Sequence, residues 1–526
     1  MLTRREVLLC SAAGLFSKPT RGQAPLALVG ASAERGHLLR DPSRLAALPR
    51  RRVATADVVV VGGGVSGLSA AWRFAGQGLD VRLLELEHEL GGTSSYGSTG
   101  TLDYPWGAHY LPVPNPDARS TLRLLADMGV VTGWDARGQP RVDPARLVHA
   151  PDERIFYRGQ WHTGLIPFDD LRPDELAELE KFHHVTEAQT AARGGDGLPR
   201  FTIPVVGSSS DDESLALDAI SMEAWLAREG FTTSFLHWFV RYATLDDFGA
   251  DPSEVSAWAG LHYFSARKHR SEETEGSHYL VWPEGNGALV KALRQRIDAE
   301  IVKPALVVSV VPQAGRIVVG YLGEENIVLE VEARGVVLST PAFVTSRLVS
   351  GLTLPVRVSS PWLVANLHKS KPLEPTPAWD SVIHGAEGLG YVDASHQFGA
   401  PREDTVWTYF RAYGGADPAG ARTALLGASI DQLARLALGD LRIAHPDILH
   451  TTSKLELCVW GHGMPRPSVG SLASALRPVV ELAPGVVWGH VDQSAMALFE
   501  EAQVAGVRAA EVLARSLGMA LDESWV

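Results

Sequence analysis

The stretch "DVVVVGGGVSGLSAA", residues 57–71, constrains the fold more than any other part of the chain. Asp57-Val58-Val59-Val60-Val61 is an apolar, β-branched run of the kind that fills a parallel strand buried on both faces. Gly62-Gly63-Gly64-Val65-Ser66-Gly67 follows at GxGxxG spacing, and the small or apolar residues from Leu68 to Ala75 suit a helix packed close to that strand. Gly62 permits the tight turn, Gly64 lets backbone approach a pyrophosphate, and Gly67 lets helix and strand touch. The helix N-terminus, with Ser66 in its first turn, offers free N–H groups and a partial positive charge to phosphates.

A second strand, Val81-Arg82-Leu83-Leu84-Glu85, ends on an acid 18 residues past Gly67. That is close to the roughly 20 expected for the carboxylate that accepts ribose hydroxyls. A carboxylate there repels a 2′-phosphate, which argues against NADP in this pocket. Strand, turn, helix, strand and terminal acid in register predict a bound dinucleotide.

The residues after Glu85 bear on which dinucleotide. "LEHELGGTSSYG" places Gly91-Gly92 six and seven positions beyond the acid, where backbone can pass close to a longer cofactor. This arrangement resembles the flavoprotein superfamily of monoamine and polyamine oxidases, protoporphyrinogen oxidase and phytoene desaturase. The resemblance implies FAD. In that group an arginine often follows the glycine pair, and here the position is Thr93.

Further segments match the same superfamily in the same order. "DYPWGAHYL" (103–111) resembles the strand that reaches the flavin ring, which implies contacts from Gly107, Ala108 and His109. "WPEGNGALVKAL" (282–293) resembles the glycine turn before the FAD-binding part resumes, and "LVVSVV", "IVV" and "GVVLSTP" resemble its returning strands. The valine that meets adenine in the family falls at Val307. "VVWGHVDQSAMALFEEAQVAGVRAA" (486–510) resembles the C-terminal FAD segment, with Asp492 at the ribityl chain and a helix from Phe499 aimed at the pyrimidine beside Ala502.

The expected fold is therefore α/β: a discontinuous Rossmann-like FAD-binding domain (54–115, 285–345, 455–526) interleaved with a mixed α+β substrate domain (116–284, 346–454). A length of 526 residues allows two such cores, and 45% hydrophobic with 21% charged residues suits a globular enzyme. A net charge of −13 argues against nucleic acid as a partner. No apolar run reaches the roughly 18 residues of a membrane span. With only Cys10 and Cys458, neither an internal disulfide in a processed chain nor a CxxC site is available.

Arg4-Arg5 before the apolar run ending near Phe16 resembles a twin-arginine signal, which implies the twin-arginine machinery as a partner and an exported, periplasmic destination. Residues 1–33 are read as signal and processing region, with "GQA" (22–24) and "ASA" (31–33) as cleavage candidates. A route that carries folded proteins suits a flavin loaded before export.

Flavin oxidation asks the protein chiefly to place a substrate carbon and set its protonation. In the amine oxidases a lysine lies near flavin N5. Its place here falls at Val364 or Asn366, with Lys369 and Lys371 further on and facing solvent. That departure counts against plain amine oxidation. His109, His396 and His462 are the candidate catalytic groups, and Cys458 or His462 the candidates for covalent flavin attachment. His183-His184 with Glu187 reads as a solvated helix face rather than a metal site. Trp238, Trp258, Trp379, Trp407 and Trp460 suit either an aromatic cleft or core packing. The expected activity is an FAD-dependent, amine-oxidase-like hydride transfer from a small amine or hydrophobic substrate, with reoxidation by oxygen or another acceptor. A phytoene-desaturase-like dehydrogenase and a non-redox flavoprotein are the alternatives.

Overall fold

Val58, Val59 and Val60 are fully buried near the end of a 12-residue strand, Arg50–Val61, in an eight-stranded sheet. Val81–Leu84 and Val328–Leu338 flank it, both parallel to it. Glu300–Val302 extends the parallel set at one side, and Val486–Trp488 pairs in parallel with the end of Val328–Leu338. Arg316–Leu322 and Leu306–Gln313 continue as an antiparallel meander. Helix Val65–Phe74 is buried along its whole length and packs on helix Phe499–Ser516. The architecture comes from a computed structural model, which describes residues 24–267, 278–323, 326–369, 378–399 and 402–526.

The C-terminal tail closes this unit. Trp525 lies 4.7 Å from Trp72, and the guanidinium groups of Arg73 and Arg123 each sit 4.4 Å from its ring centroid. Arg73 also pairs with buried Glu511 at 3.1 Å. An aromatic pair plus two cation–π contacts is worth about 2 kcal/mol, so Trp525→Ala is expected to lower stability by that amount in a urea melt of the full chain.

A second eight-stranded sheet stands beside the first. Its order is Leu26–Val29, Thr452–Pro465, Ser359–Lys369, Thr405–Ala412, Gly390–Asp393, Asp380–Ile383, Glu153–Tyr157 and Gln160–Thr163. Its long strand Ser359–Lys369 shows the period of two: Trp362 and Val364 join one core, while Leu363, Ala365 and Leu367 join another. Helices Pro173–Thr190, Met222–Arg228, Ser234–Phe248 and Ala257–Ser265 build the first of these cores.

Several expected boundaries move. Residues 116–284 contain those helices but also Glu153–Tyr157 and Gln160–Thr163, which complete the second sheet. Thr452–Pro465 is an interior strand of that sheet, not the start of the last nucleotide-binding segment, which resumes at Glu481–Trp488. "ARTALLGASIDQLARLAL" forms two helices, because Ser429 caps the second by accepting from the Gln432 N–H. Residues 24–33 are part of the folded body: Leu26–Val29 runs parallel to Leu455–Cys458. Arg4-Arg5, Cys10 and Lys371 lie outside the described residues.

Candidate functional site

A cleft of about 940 Å³ runs between the two sheets, and the glycine turn forms its floor. Gly62, Gly64, Ser66, Glu85, Gly91, Gly92, Thr93, Gly107, Ala108, His109, Val307, Asp492, Phe499 and Ala502 all line it. Residues from five separated segments therefore meet at one surface. Gly67 does not line it. A Cβ on Gly67 would sit 1.8 Å from the Gly62 carbonyl oxygen, so this glycine acts by close helix–strand contact. A Cβ on Gly64 would meet nothing within 4 Å, which leaves its backbone open to a ligand in the cleft.

Polar groups in the cleft are held but not exhausted. Glu85 Oε2 accepts from the Gly63 N–H at 2.5 Å and Oε1 from the Glu87 N–H at 2.8 Å. Burial raises the Glu85 pKa, which those backbone donors oppose. Asp492 Oδ2 accepts from the Ala342 N–H at 2.7 Å, and His490 lies 3.3 Å from its other oxygen. Burial pushes the Asp492 pKa up, but His490 and the Ala342 N–H outweigh it and hold the carboxyl ionised. Ser66 differs from the expected phosphate contact: its hydroxyl donates to the Gly489 carbonyl at 2.6 Å, tying the turn to the C-terminal segment. Asn286 Oδ1, on the cleft wall, is buried without a hydrogen-bond partner. A long cleft with an open glycine backbone, two buried carboxylates and an orphaned amide oxygen fits an FAD-sized dinucleotide.

The three candidate histidines separate. His109 lines the cleft, stacked on Phe410 with centroids 4.3 Å apart. Burial lowers its pKa to about 4, so the ring is a neutral wall rather than an acid at neutral pH. His462 also lines the cleft, over Phe343 at 4.3 Å, and burial with nearby arginines lowers its pKa to about 4. His396 does not line the cleft: it sits in the 3-10 turn His396–Phe398 that follows the strand Gly390–Asp393, 6.5 Å from His149.

Of the attachment candidates, Cys458 lies buried in its sheet and off the cleft, with burial pushing its thiol up to about 12. Of the two positions where the resemblance puts the lysine, Val364 lines the cleft and Asn366 does not. Lys369 is not solvent-facing as expected. It is buried, donates to Thr451 Oγ1 at 2.6 Å and lies 4.3 Å from the Trp407 ring centroid. His183 and Glu187 stay exposed on their helix, 3.9 Å apart. Trp460 lines the cleft, whereas Trp258 and Trp407 are core residues.

A second chamber of about 440 Å³ opens beside the cleft, sharing Tyr110, Pro112, Asp246 and Arg267 with it. Phe239, Tyr242, Tyr263, Phe264, Tyr279 and Trp379 wall it, and Glu153, Asp246, Asp380 and Arg267 line it as well. Asp246 accepts from the Tyr110 hydroxyl at 2.8 Å, and Asp380 from Tyr242 at 3.3 Å. Asp247, the neighbour of Asp246, is paired with Arg267 at 2.9 Å. The Glu153 carboxyl has no partner among the described residues. Burial with the nearby Asp152 and Asp246 raises Glu153 to about 7, burial with Asp247 raises Asp246 to about 6, and burial with Glu153 and Asp246 pushes Asp380 up as well.

None of these carboxylates was foreseen. A signal did exist: Asp246-Asp247 falls in the last turn of the helix Ser234–Phe248, where the helix dipole disfavours negative charge. Such local inconsistency marks residues kept for another purpose.

A family profile for the NAD(P)-binding Rossmann-like domain matches residues 60–127. AofH of Mycobacterium tuberculosis, named as a flavin-containing monoamine oxidase, is 24% identical over 260 residues, 48% of this chain and 51% of AofH. The chain thus spans about half the length of the curated relatives it matches. A wild-type putrescine oxidase bound to putrescine superposes with a TM-score of 0.61 at 14% identity, covering 88% of this chain and 99% of that one. Cyclohexylamine oxidase from Brevibacterium oxydans superposes with a TM-score of 0.61 at 16% identity, covering 88% and 100%. The fold is that of the flavin-dependent amine oxidases, a Rossmann-like nucleotide unit joined to a second sheet.

Proposed function

We propose that this chain is an FAD-dependent oxidoreductase of the amine-oxidase-like superfamily whose substrate is a cationic amine. The observation that carries the reading is the chamber of Glu153, Asp246 and Asp380, open to the dinucleotide cleft at Tyr110. Arg267, the guanidinium that also lines the chamber, is paired with Asp247, so three carboxyls in an aromatic box still repel one another and are relieved by a further cation. FAD, when bound along Glu85, Gly64 and Asp492, supplies the acceptor for two electrons from the substrate carbon, and oxygen or another acceptor then takes them up.

The chain's own residues do the rest. Glu153 and Asp380 hold a positive end of the substrate, and the aromatic walls exclude water from it. Asp246 stands where chamber and cleft meet. Its Oδ2 is engaged by Tyr110, which leaves Oδ1 to receive the proton that an ammonium sheds before its carbon is oxidised. His109, neutral and stacked on Phe410, shapes the passage without adding a competing charge.

The pH dependence follows in sign. As pH falls through about 7 and 6, Glu153 and Asp246 gain protons and lose their attraction for an ammonium. kcat/KM for a diamine is therefore expected to fall below pH 7 along an acid limb that steepens past pH 6, read from a pH–rate profile.

The direct test is an anaerobic spectrum of the purified protein with a panel of amines and apolar alkenes. Flavin bands that bleach with diamines support the proposal. Bleaching by the apolar panel alone moves the reading to a desaturase, which Val364 in place of lysine would suit. A folded protein that neither contains nor takes up flavin overturns it. Export through the twin-arginine route is part of the same proposal, and rests on Arg4-Arg5 alone. Unchanged periplasmic delivery after Arg4→Lys with Arg5→Lys would remove it.

A further inference from the structure

Residues 24–40 do more than precede the nucleotide-binding unit. Leu26–Val29 adds an edge strand to the second sheet, pairing in parallel with Leu455–Cys458. The chain then crosses to the nucleotide sheet. There the Ser32 N–H donates to Glu87 Oε1 at 2.7 Å, and Arg35 donates to the Leu86 carbonyl at 2.6 Å. Arg35 also pairs with Glu87 at 3.6 Å. These anchors fall immediately after Glu85, and the Glu87 N–H itself donates to Glu85. From there Ala33–Gly36 and His37–Arg40 run along the cleft, and Ser32, Ala33, His37, Leu39 and Arg40 form part of its wall.

The segment also brings charge. Among the described residues Arg40 meets only the His37 ring, at 2.9 Å, and Arg422 hydrogen-bonds only to the carbonyl oxygens of Gly461 and Ser359. Among the described residues neither guanidinium has a carboxylate partner, and both line the cleft together with His462. Unneutralised arginines on the wall of a cleft suited to a dinucleotide are a set for an anion. Thr93, meanwhile, supplies no cation at the position where the related flavoproteins carry an arginine.

We propose that residues 24–40 are a permanent strap of the cofactor site, closing over FAD and contributing, through Arg40 beside Arg422, the positive charge that Thr93 lacks. The inference rests on the FAD reading above. It also requires processing to end at or before Ala24. A cut after Ala33 would remove the edge strand and the Ser32 anchor.

The test uses the full flavin-loaded protein and reads release of FAD by its fluorescence after dilution, for the wild type, Arg35→Ala and Arg40→Gln. Loss of a charge-assisted contact is expected to speed release about tenfold or more in each variant. The melting temperature of the flavin-free protein should stay the same for Arg40→Gln, whose side chain holds only the His37 ring among the described residues, which separates cofactor retention from folding. The N-terminal mass of exported protein should place the mature start no later than Pro25. Release rates equal to wild type in both variants overturn the strap, as does a flavin-retaining mature chain that begins after Ala33. A wild-type chain that never binds FAD removes the cofactor reading itself, a different outcome from one that holds FAD equally well in all three forms.

Discussion

Asp246→Asn is expected to reduce kcat/KM for a diamine about 30-fold or more, the cost of removing one member of a buried charge pair. The same substitution should make the substrate-free protein more heat-stable at pH 7.5. The sign follows from its pKa. Burial and the neighbouring Asp247 raise Asp246 to about 6 in the fold, above its ordinary 3.8. A group raised in this way favours the native state at low pH and loses that contribution as pH rises through its folded value. At pH 7.5 the native state holds an ionised carboxylate that it would rather not hold. Asparagine lacks that charge and keeps an oxygen to accept from Tyr110, so the melting temperature rises at pH 7.5 and the gain disappears below about pH 4. Loss of activity together with gain of stability is the mark of a residue kept for function. Activity unchanged, or a fall in both, would show that Asp246 is structural.

Gly67→Ala is expected to have a larger effect on the protein itself. Its Cβ would stand 1.8 Å from the Gly62 carbonyl oxygen and 3.3 Å from Val60 Cγ1, both inside the β–α turn. Across the same helix, a Cβ on Gly506 would lie 2.0 Å from the Ser66 carbonyl. Backbone faces Gly67 and Gly506 in each case, so no side chain can swing aside. Helix Val65–Phe74 is therefore pinched between its own strand and helix Phe499–Ser516, and either substitution must push it off the sheet. The expected loss is more than about 4 kcal/mol, in the range where soluble protein is no longer recovered. Soluble yield and flavin content per chain measure it. A Gly67→Ala protein that melts within a few degrees of wild type and retains flavin would mean that the turn has slack the geometry does not show.

The nucleotide unit was legible because its signals are local. Strand, turn, helix and acid lie within residues 57–85, and each of those residue types has a backbone or hydrogen-bond reason for its place. The same holds for Phe499, which begins the helix expected there, and for Asp492 and Val307, which reach the cleft. His396 illustrates the limit. Its sequence surroundings resemble those of His462, with glycines and aromatics nearby, yet only one of the two segments returns to the cleft. Lys369 illustrates another. A lysine at the end of a strand reads as solvated, and only the arrival of Trp407 and Thr451 buries it.

What the amino-acid order determined by itself was the first half of the site: a buried parallel strand, a glycine turn that only small residues permit, and an acid at ribose distance. These depend on neighbours in the chain, where β-branching, a missing Cβ and a helix dipole act over a few ångströms. What only the tertiary structure decided was the second half. Glu153 and Asp380 come from neighbouring strands of the second sheet and Asp246 from the end of a helix, and no period or spacing in the sequence links them. The leading segment is the same kind of case, since residues read as discarded become a wall of the cleft once Leu26–Val29 finds Leu455–Cys458. Charges separated along the chain can act together only after the fold has buried them in one low-dielectric space, where they feel each other strongly.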